Sequence, residues 1–398
     1  MQQNCHRCRM VSLIAASAMT SVVLAQGVPH PGAAGALPAS SRASLADQMA
    51  RPYVFADPAW FHWGGTPVLG DDGQYHLYYD RWARNNGRLM RGWLYVSQIA
   101  HATASQPEGP YQFRDIALQG AGEKPAGRWD AVNAHNAYCV RLPDPDTGKL
   151  RYYLYFIANR DTNNMTDDWF DHIVNQRIGV AVADSPNGPW TRSPQPACVP
   201  QAPLRSYVVN PGVTRLPDGR FLMLLKGREL DTVFSGSMGA YLQGWALADR
   251  PTGPFVIQST LLFPSTIVAE DPCVFVWDGR VYAAVKDWNG QLSGSVGIGW
   301  LSGTINQDGS ISWTVPTPAS QALMSPRSLT WSDATTTTLN SLERPFILQD
   351  ATGRPTHLFA AASVLDPFLK ASVPPLEPPP AIPGGNLPFN VCIPLVPR

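Results

Sequence analysis

The stretch Val268-Ala-Glu270-Asp271-Pro272-Cys-Val-Phe-Val276 runs into Asp278-Gly279 and leaves through Val281-Tyr-Ala-Ala-Val285. An apolar run, an Asp-Gly turn and a second apolar run together form a strong short-range signal for a β-hairpin. The same unit recurs on both sides of it. Upstream it reads Thr66-Pro-Val-Leu, Asp71-Asp-Gly73, Tyr75-His-Leu-Tyr-Tyr79, and then Asn136-Ala-Tyr-Cys-Val140, Asp146-Thr-Gly148, Tyr152-Tyr-Leu-Tyr-Phe156. A third copy is Asn210-Pro-Gly-Val213, Pro217-Asp-Gly219, Phe221-Leu-Met-Leu-Leu225. Downstream stands Pro345-Phe-Ile-Leu348, Ala351-Thr-Gly353, Thr356-His-Leu-Phe359. The five turn glycines fall roughly 60 to 75 residues apart, longer than a minimal propeller blade.

A second marker keeps step with the first. Pro107-Glu-Gly109-Pro110-Tyr111, Pro186-Asn-Gly188-Pro189-Trp190 and Pro251-Thr-Gly253-Pro254-Phe255 each follow a small-residue run and precede an aromatic. They read as the tight turn from a third strand to an outer fourth one. Five four-stranded units with few amphipathic helices predict an all-β, five-bladed β-propeller. The two termini must then complete one blade, because an open sheet edge invites aggregation. Phe389-Asn-Val-Cys-Ile-Pro-Leu-Val396 alternates well enough to close the ring, and the Pro-rich run 373–388 reads as an extended connector.

Composition agrees. Thirty basic and thirty acidic residues in 398 leave no net charge, which excludes an electrostatic nucleic-acid binder. At 44% hydrophobic and 15% charged, the chain is not disordered. Gly and Pro together make up about 18% of it, against roughly 12% in average usage, as a turn-rich fold requires.

The first 25 residues read as a signal peptide, with Arg7 and Arg9 before an apolar stretch and Val23-Leu24-Ala25 as the cleavage site. Residues 26–45 are a flexible leader and 46–398 one domain closed by the C-terminal strand. The expected mature protein is secreted or periplasmic, monomeric and free of the membrane. Cleavage removes Cys5 and Cys8. Cys139, Cys198, Cys273 and Cys392 remain, an even count that permits disulfides, although strand-like surroundings favour buried thiols.

In a propeller, the start of each first strand and the end of each second strand meet at one mouth of the channel. The starts carry Gly65-Thr66, His135-Asn136, Asn210, Glu270-Asp271 and Glu343-Arg344. The ends carry Asp80-Arg81, Asn159-Arg160, Lys226, Lys286-Asp287 and Ser363. Adjacent carboxylates at Glu270 and Asp271 repel, and burial raises the pKa of at least one, as a general acid requires. Glu343, from the next blade, supplies a second carboxylate, the pairing that glycosidic hydrolysis uses. Arg81, Arg160, Lys226, Lys286 and Arg344 are candidates to orient hydroxyls or an anionic sugar substituent. Trp63, with Trp60 and Trp82, flanks the first blade's rim, and Trp129, Trp169 and Trp288 lie in or near later loops, where a flat ring suits a sugar face; blade packing is the alternative for each.

These features together resemble the five-bladed β-propeller glycoside hydrolases of the family 43 and family 32 group. Glu270-Asp271-Pro272, followed by Trp277-Asp-Gly-Arg-Val-Tyr282, resembles the segment that carries the group's general acid. The resemblance therefore implies an exported, inverting glycoside hydrolase with a carbohydrate substrate and no cofactor or metal. It gives Glu270 the acid role, with Asp271 setting its pKa or binding substrate. The group normally has Asp on the first strand as base and on a middle strand as orienter; here those strands begin with Thr66, Asn136 and Asn210. Glu343 is the leading base candidate, with Asp57 and Asp80 as others and His135 as a further proton carrier. His135, Asn136 and Asn210 are assigned to substrate binding. A non-catalytic carbohydrate-binding propeller and a lyase acting on an anionic glycan are the competing readings.

Overall fold

The computed structural model describes residues 54–395, except 58, 123–126, 161–168, 231–238, 331–335 and 365–387. The signal segment, the leader, Cys5, Cys8 and most of the Pro-rich connector lie outside the described residues. The chain forms five antiparallel sheets arranged as a five-bladed β-propeller, each numbered here by its innermost strand. Blade I comprises Trp60–Leu69, Tyr75–Ala83, Gln98–Ala104 and Gln112–Leu118, and blade II His135–Pro143, Leu150–Ala158, Arg177–Ala183 and Thr191–Arg192. Blade III comprises Val208–Arg215, Phe221–Arg228, Tyr241–Ala248 and Val256–Ile257. Blade IV comprises Ala269–Trp277, Arg280–Asp287, Gly297–Ile305 and Ile311–Thr314, with Leu323–Pro326 added on the third strand.

Blade V takes Ser341–Gln349 and Pro355–Ser363 from the fifth hairpin, Phe389–Pro394 as its third strand and Val54–Phe55 as its outer strand. Val54 pairs with Val391 and Phe55 with Asn390, so segments from near the two ends of the chain share one sheet. Innermost strands of successive blades pack on one another around the ring, and blade V returns to blade I. The three Pro-x-Gly-Pro turns lie where the pattern placed them, between third and fourth strands. Two also lock neighbouring blades. The Tyr155 hydroxyl of blade II donates to the Pro251 carbonyl of blade III at 2.5 Å, and Tyr78 of blade I donates to the Pro186 carbonyl of blade II. At Gly212 the innermost strands of blades III and IV approach so closely that a Cβ would stand 2.3 Å from the Pro272 carbonyl oxygen.

Aromatic and β-branched residues of the second strands fill the space between blades. Tyr152, Tyr153, Tyr155 and Phe156 are wholly buried, each large side chain contributing on the order of 2 kcal/mol of apolar burial. Cys139, Cys198, Cys273 and Cys392 are buried free thiols. Two short helices, Trp93–Val96 and Trp169–Val174, follow the second strands of blades I and II. Neither they nor the Ser328–Thr330/Thr336–Thr338 hairpin was expected from the sequence pattern. Among the described residues, no helix is long and apolar enough to cross a membrane.

One local feature repeats in all five blades and sets the site. Each innermost strand breaks register by a bulge: between Trp63 and Thr66, His135 and Tyr138, Val209 and Gly212, Glu270 and Cys273, and Glu343 and Phe346. The residue entering each bulge is left-handed: Gly64 (φ 61°), Asn136 (54°), Asn210 (56°), Asp271 (57°) and Arg344 (55°). Asn and Asp tolerate this region better than most residues. A bulge redirects its side chain out of the strand's alternation, which here sends five equivalent positions to the channel.

Candidate active site

The bulge residues form a hydrogen-bonded belt. Asn136 Nδ2 donates to Asn210 Oδ1 at 2.5 Å, and Asn210 Nδ2 to Asp271 Oδ1 at 2.6 Å. Asp271 also accepts from Arg344 Nη1 and from the Arg344 backbone N–H, both at 3.2 Å. Burial, reinforced by the charge of Glu270, raises the Asp271 pKa against the pull of Arg344. The belt explains why Arg344 adopts a backbone conformation unusual for a long side chain: both its guanidinium and its amide are engaged by one buried carboxylate.

Beside the belt is a cavity of about 270 Å³. That is just below the roughly 300 Å³ at which drug-sized sites begin, and it suits a small polar ligand. One wall carries the Glu270 carboxylate between two lysines: Lys226 Nζ donates to Oε2, and Lys286 Nζ to Oε1 at 3.1 Å. Lys286 also donates to Glu343 Oε1, so one ammonium joins carboxylates from blades IV and V. The two glutamates shift in opposite directions. Burial works to raise the Glu270 pKa, but the combined Lys226 and Lys286 interactions overrule it and hold it near 2. Burial raises the Glu343 pKa, and the charges of Glu270 and Asp271 add to this against the opposing pull of Lys286. Glu270, Asp271 and Glu343 each bring one oxygen within 4.8 Å of the others, the spacing of a cation site. Lys226, Lys286 and Arg344 already supply the positive charge there.

Aromatic rings backed by cations continue this wall. Lys286 Nζ lies 3.3 Å from the ring centroid of Trp288, and Arg228 Cζ 3.1 Å from that of Tyr241. Arg228 Nε also donates to the Tyr207 hydroxyl at 3.3 Å. The remaining wall belongs to blades I and II and contains Trp63, Trp93, Trp169 and His135. The Trp93 ring stacks on His135 with centroids 5.0 Å apart, and Trp169 meets Trp93 edge-on at 5.6 Å. His135 Nδ1 is 2.8 Å from Ser97 Oγ and 3.6 Å from Asp80 Oδ2. Burial, and then the nearby Arg344 charge, hold the imidazole pKa well below its usual value. Burial pushes the Asp80 carboxyl up to about 7, although Arg344 and the Ala137 amide oppose it.

Of the residues singled out in the sequence, Glu270, Asp271, Glu343, His135, Asn136, Asn210, Lys226, Arg344 and Trp63 line the cavity. Lys286 stands behind it as the bridge between the glutamates. Three expectations are corrected. Arg81 does not reach the mouth: strand alternation sends Asp80 inward and Arg81 outward. Its guanidinium lies 4.1 Å from the Trp60 ring and 4.2 Å from that of Phe113, and its Nε donates to Gln98. Arg160, just past its strand, is exposed and does not line the cavity. Asp57, an alternative base, is spent on the Ala59 amide at 2.8 Å and also lies outside the cavity. Trp169 and Trp288, expected in or near later loops, line the cavity too, whereas the lining residues not singled out in the sequence include Trp93, Tyr207, Arg228 and Tyr241. Arg228 and Tyr241 terminate strands of blade III, a signal that could have been read, whereas Trp93 arrives on an inserted helix.

No family model matches the chain. In sequence it is similar to xylosidase/arabinosidase 43A of Humicola insolens, 32% identical over 118 residues, or 28% of this chain. The match spans 29% of the length of that curated relative. Among solved structures, it is similar to a family 117 glycoside hydrolase of the marine bacterium Zobellia galactanivorans. That match has a TM-score of 0.53 at 15% identity, covering 90% of this chain and 89% of the other. Fructan 1-exohydrolase IIa of Cichorium intybus gives a TM-score of 0.55 at 13% identity, covering 87% of this chain and 57% of the other. At such identities the shared property is the five-bladed fold.

Proposed function

We propose that the protein is a glycoside hydrolase acting on a small or chain-terminal carbohydrate in the cavity. The observation that carries the reading is the pair Glu270 and Glu343, bridged by one lysine and displaced in opposite directions from the ordinary carboxyl pKa. Glycosidic cleavage needs a carboxyl that keeps its proton near neutral pH and a charge that stabilises the oxocarbenium-like transition state. Glu343 supplies the proton to the leaving oxygen, and ionised Glu270 supplies the stabilising charge. The acid role that the motif assigns to Glu270 thus passes to its neighbour, because two lysines keep Glu270 ionised. Trp63, Trp93 and Trp288 offer faces for sugar C–H groups.

A panel of aryl glycosides tests this, starting with xylosides and arabinofuranosides because the partial relative is named for them. Wild type is expected to release the aryl group, and Glu343→Gln to lose about 10²–10⁴-fold in kcat. Unsaturated sugar products would instead identify a lyase, and binding without turnover a lectin-like propeller. Either result overturns the proposal.

Export belongs to the same proposal, supported by the Arg7/Arg9, apolar and Val23-Leu24-Ala25 pattern. N-terminal sequencing of protein secreted by a bacterial host is expected to begin at Gln26. A chain recovered in the cytoplasm with its first 25 residues intact would contradict it.

A further inference from the structure

The two glutamates lie on one side of the cavity, yet displacement at an anomeric carbon also needs a group on the other side to activate water. Ring order says where that group must come from. Blade II is separated by one blade from blade IV and by one from blade V, the greatest separation a five-membered ring permits. Its strands bring His135, Asn136 and Ile157 to the cavity wall, and of these His135 alone can take up a proton. We infer that His135 is the general base of the proposed hydrolysis, with Asp80 and Ser97 as the positioning residues that hold its proton on Nδ1. This rests on the hydrolase reading and adds the identity of the base.

The geometry around the ring favours one tautomer. Nδ1 faces Ser97 Oγ at 2.8 Å and Asp80 Oδ2 at 3.6 Å. That Asp80 oxygen is buried and has no hydrogen-bond partner among the described residues. A proton on Nδ1 is donated to Ser97 and attracted by Asp80, whereas a proton on Nε2 would point a lone pair at a carboxylate. Nε2 makes no hydrogen bond among the described residues, and its ring lines the cavity, so its lone pair is the one offered to a ligand. Stacked Trp93 and edge-on Trp82 fix the ring plane. Arg344 and Asp80 face the imidazole; the Arg344 charge opposes the protonated form that arises in the reaction, and Asp80, pushed by burial up to about 7, stands beside Nδ1.

In the step itself, Nε2 takes a proton from water as the water oxygen bonds to the anomeric carbon. The bond from that carbon to the glycosidic oxygen breaks, and its electron pair stays on the leaving oxygen, which takes the Glu343 proton. His135 ends protonated and Glu343 ionised, and proton exchange with solvent restores both. Attack from the side opposite the leaving group inverts the anomeric configuration.

The test uses the full mature chain with whichever aryl glycoside wild type turns over. His135→Ala is expected to lower kcat about 10²–10⁴-fold and to recover activity with added imidazole, which a merely structural residue would not allow. Asp80→Asn, nearly isosteric, is expected to cost roughly 10–100-fold in kcat with little change in KM. Full activity in His135→Ala would overturn the inference. So would a loss that imidazole does not rescue, together with an undiminished kcat in Asp80→Asn. In either case, loss of activity in Glu343→Gln would leave the hydrolase reading standing. A wild type that turns over no glycoside removes that reading first, and this one with it.

Discussion

Replacing Lys286 with methionine is expected to cost about 3–5 kcal/mol of stability at neutral pH, and markedly less at pH 4.5. The ammonium is 6% exposed and is the link between Glu270 Oε1 and Glu343 Oε1. Removing it leaves Glu270 with one lysine in place of two and Glu343 with no ammonium partner among the described residues, and stripping a partner from a buried ionic group is the expensive way to break it. The pH dependence follows from the two opposite shifts. Glu270, near 2 when folded against an ordinary 4.5, contributes stability that is present above 4.5 and lost as pH falls through 2. Glu343, whose pKa is raised on folding, contributes stability that is complete below 4.5 and lost as pH rises through its folded value. In Lys286→Met, Glu270 keeps only Lys226 and Glu343 keeps no cation, so both carboxyls move upward and the variant's deficit grows with pH. Thermal melts of variant and wild type at pH 4.5 and 7 measure this. An equal deficit at both values would mean that the lysine acts only as packing over Trp288.

The fold was legible because its punctuation is local. Asp278-Gly279 and its counterparts fix hairpins through backbone requirements that hold in any surroundings, and the Pro-x-Gly-Pro turns mark the outer strands in the same way. The outer strand of blade V escaped notice because Val54–Phe55 is two residues long and pairs with a strand more than 300 positions away. Site residues were legible where a bulge announces itself, as at Glu270-Asp271-Pro272. They were misread where the bulge carries glycine. The first-strand position equivalent to Asp271 is Gly64, not Thr66, and Thr66 Oγ1 instead accepts the Cys139 amide at 3.0 Å. Polarity at a strand end also does not say which of two neighbours points inward, so Asp80 and Arg81 read alike in sequence and lie on opposite faces. The charge states were beyond reach, since the fate of Glu270 depends on Lys286, its cross-strand partner in the blade IV hairpin, and on Lys226, 44 residues before it on the adjacent blade III.

Asp287→Ala is expected to destabilise the protein by about 3–5 kcal/mol, more than most single substitutions do. Asp287 ends the second strand of blade IV and is fully buried. Its Oδ1 accepts from the Gly290 amide at 3.0 Å. Its Oδ2 accepts from the Leu292 amide at 3.0 Å and from the Ser293 amide and hydroxyl at 2.8 and 2.9 Å. Truncation strands three backbone N–H groups at once, each costing roughly 1–3 kcal/mol when left buried and unpaired, less whatever entering water recovers. Asn keeps one acceptor and is expected to lose about half as much. The loop these bonds organise begins with Trp288, which is 47% exposed at the cavity rim. On the proposed reading Trp288 meets the ligand at the rim and takes no part in the proton transfers, so loosening the loop should raise KM for a glycoside more than it lowers kcat. Denaturant midpoints for the three proteins, with kinetics on the same samples, separate these effects. An alanine variant within 1 kcal/mol of wild type would show that solvent replaces the carboxylate and that the rim does not depend on it.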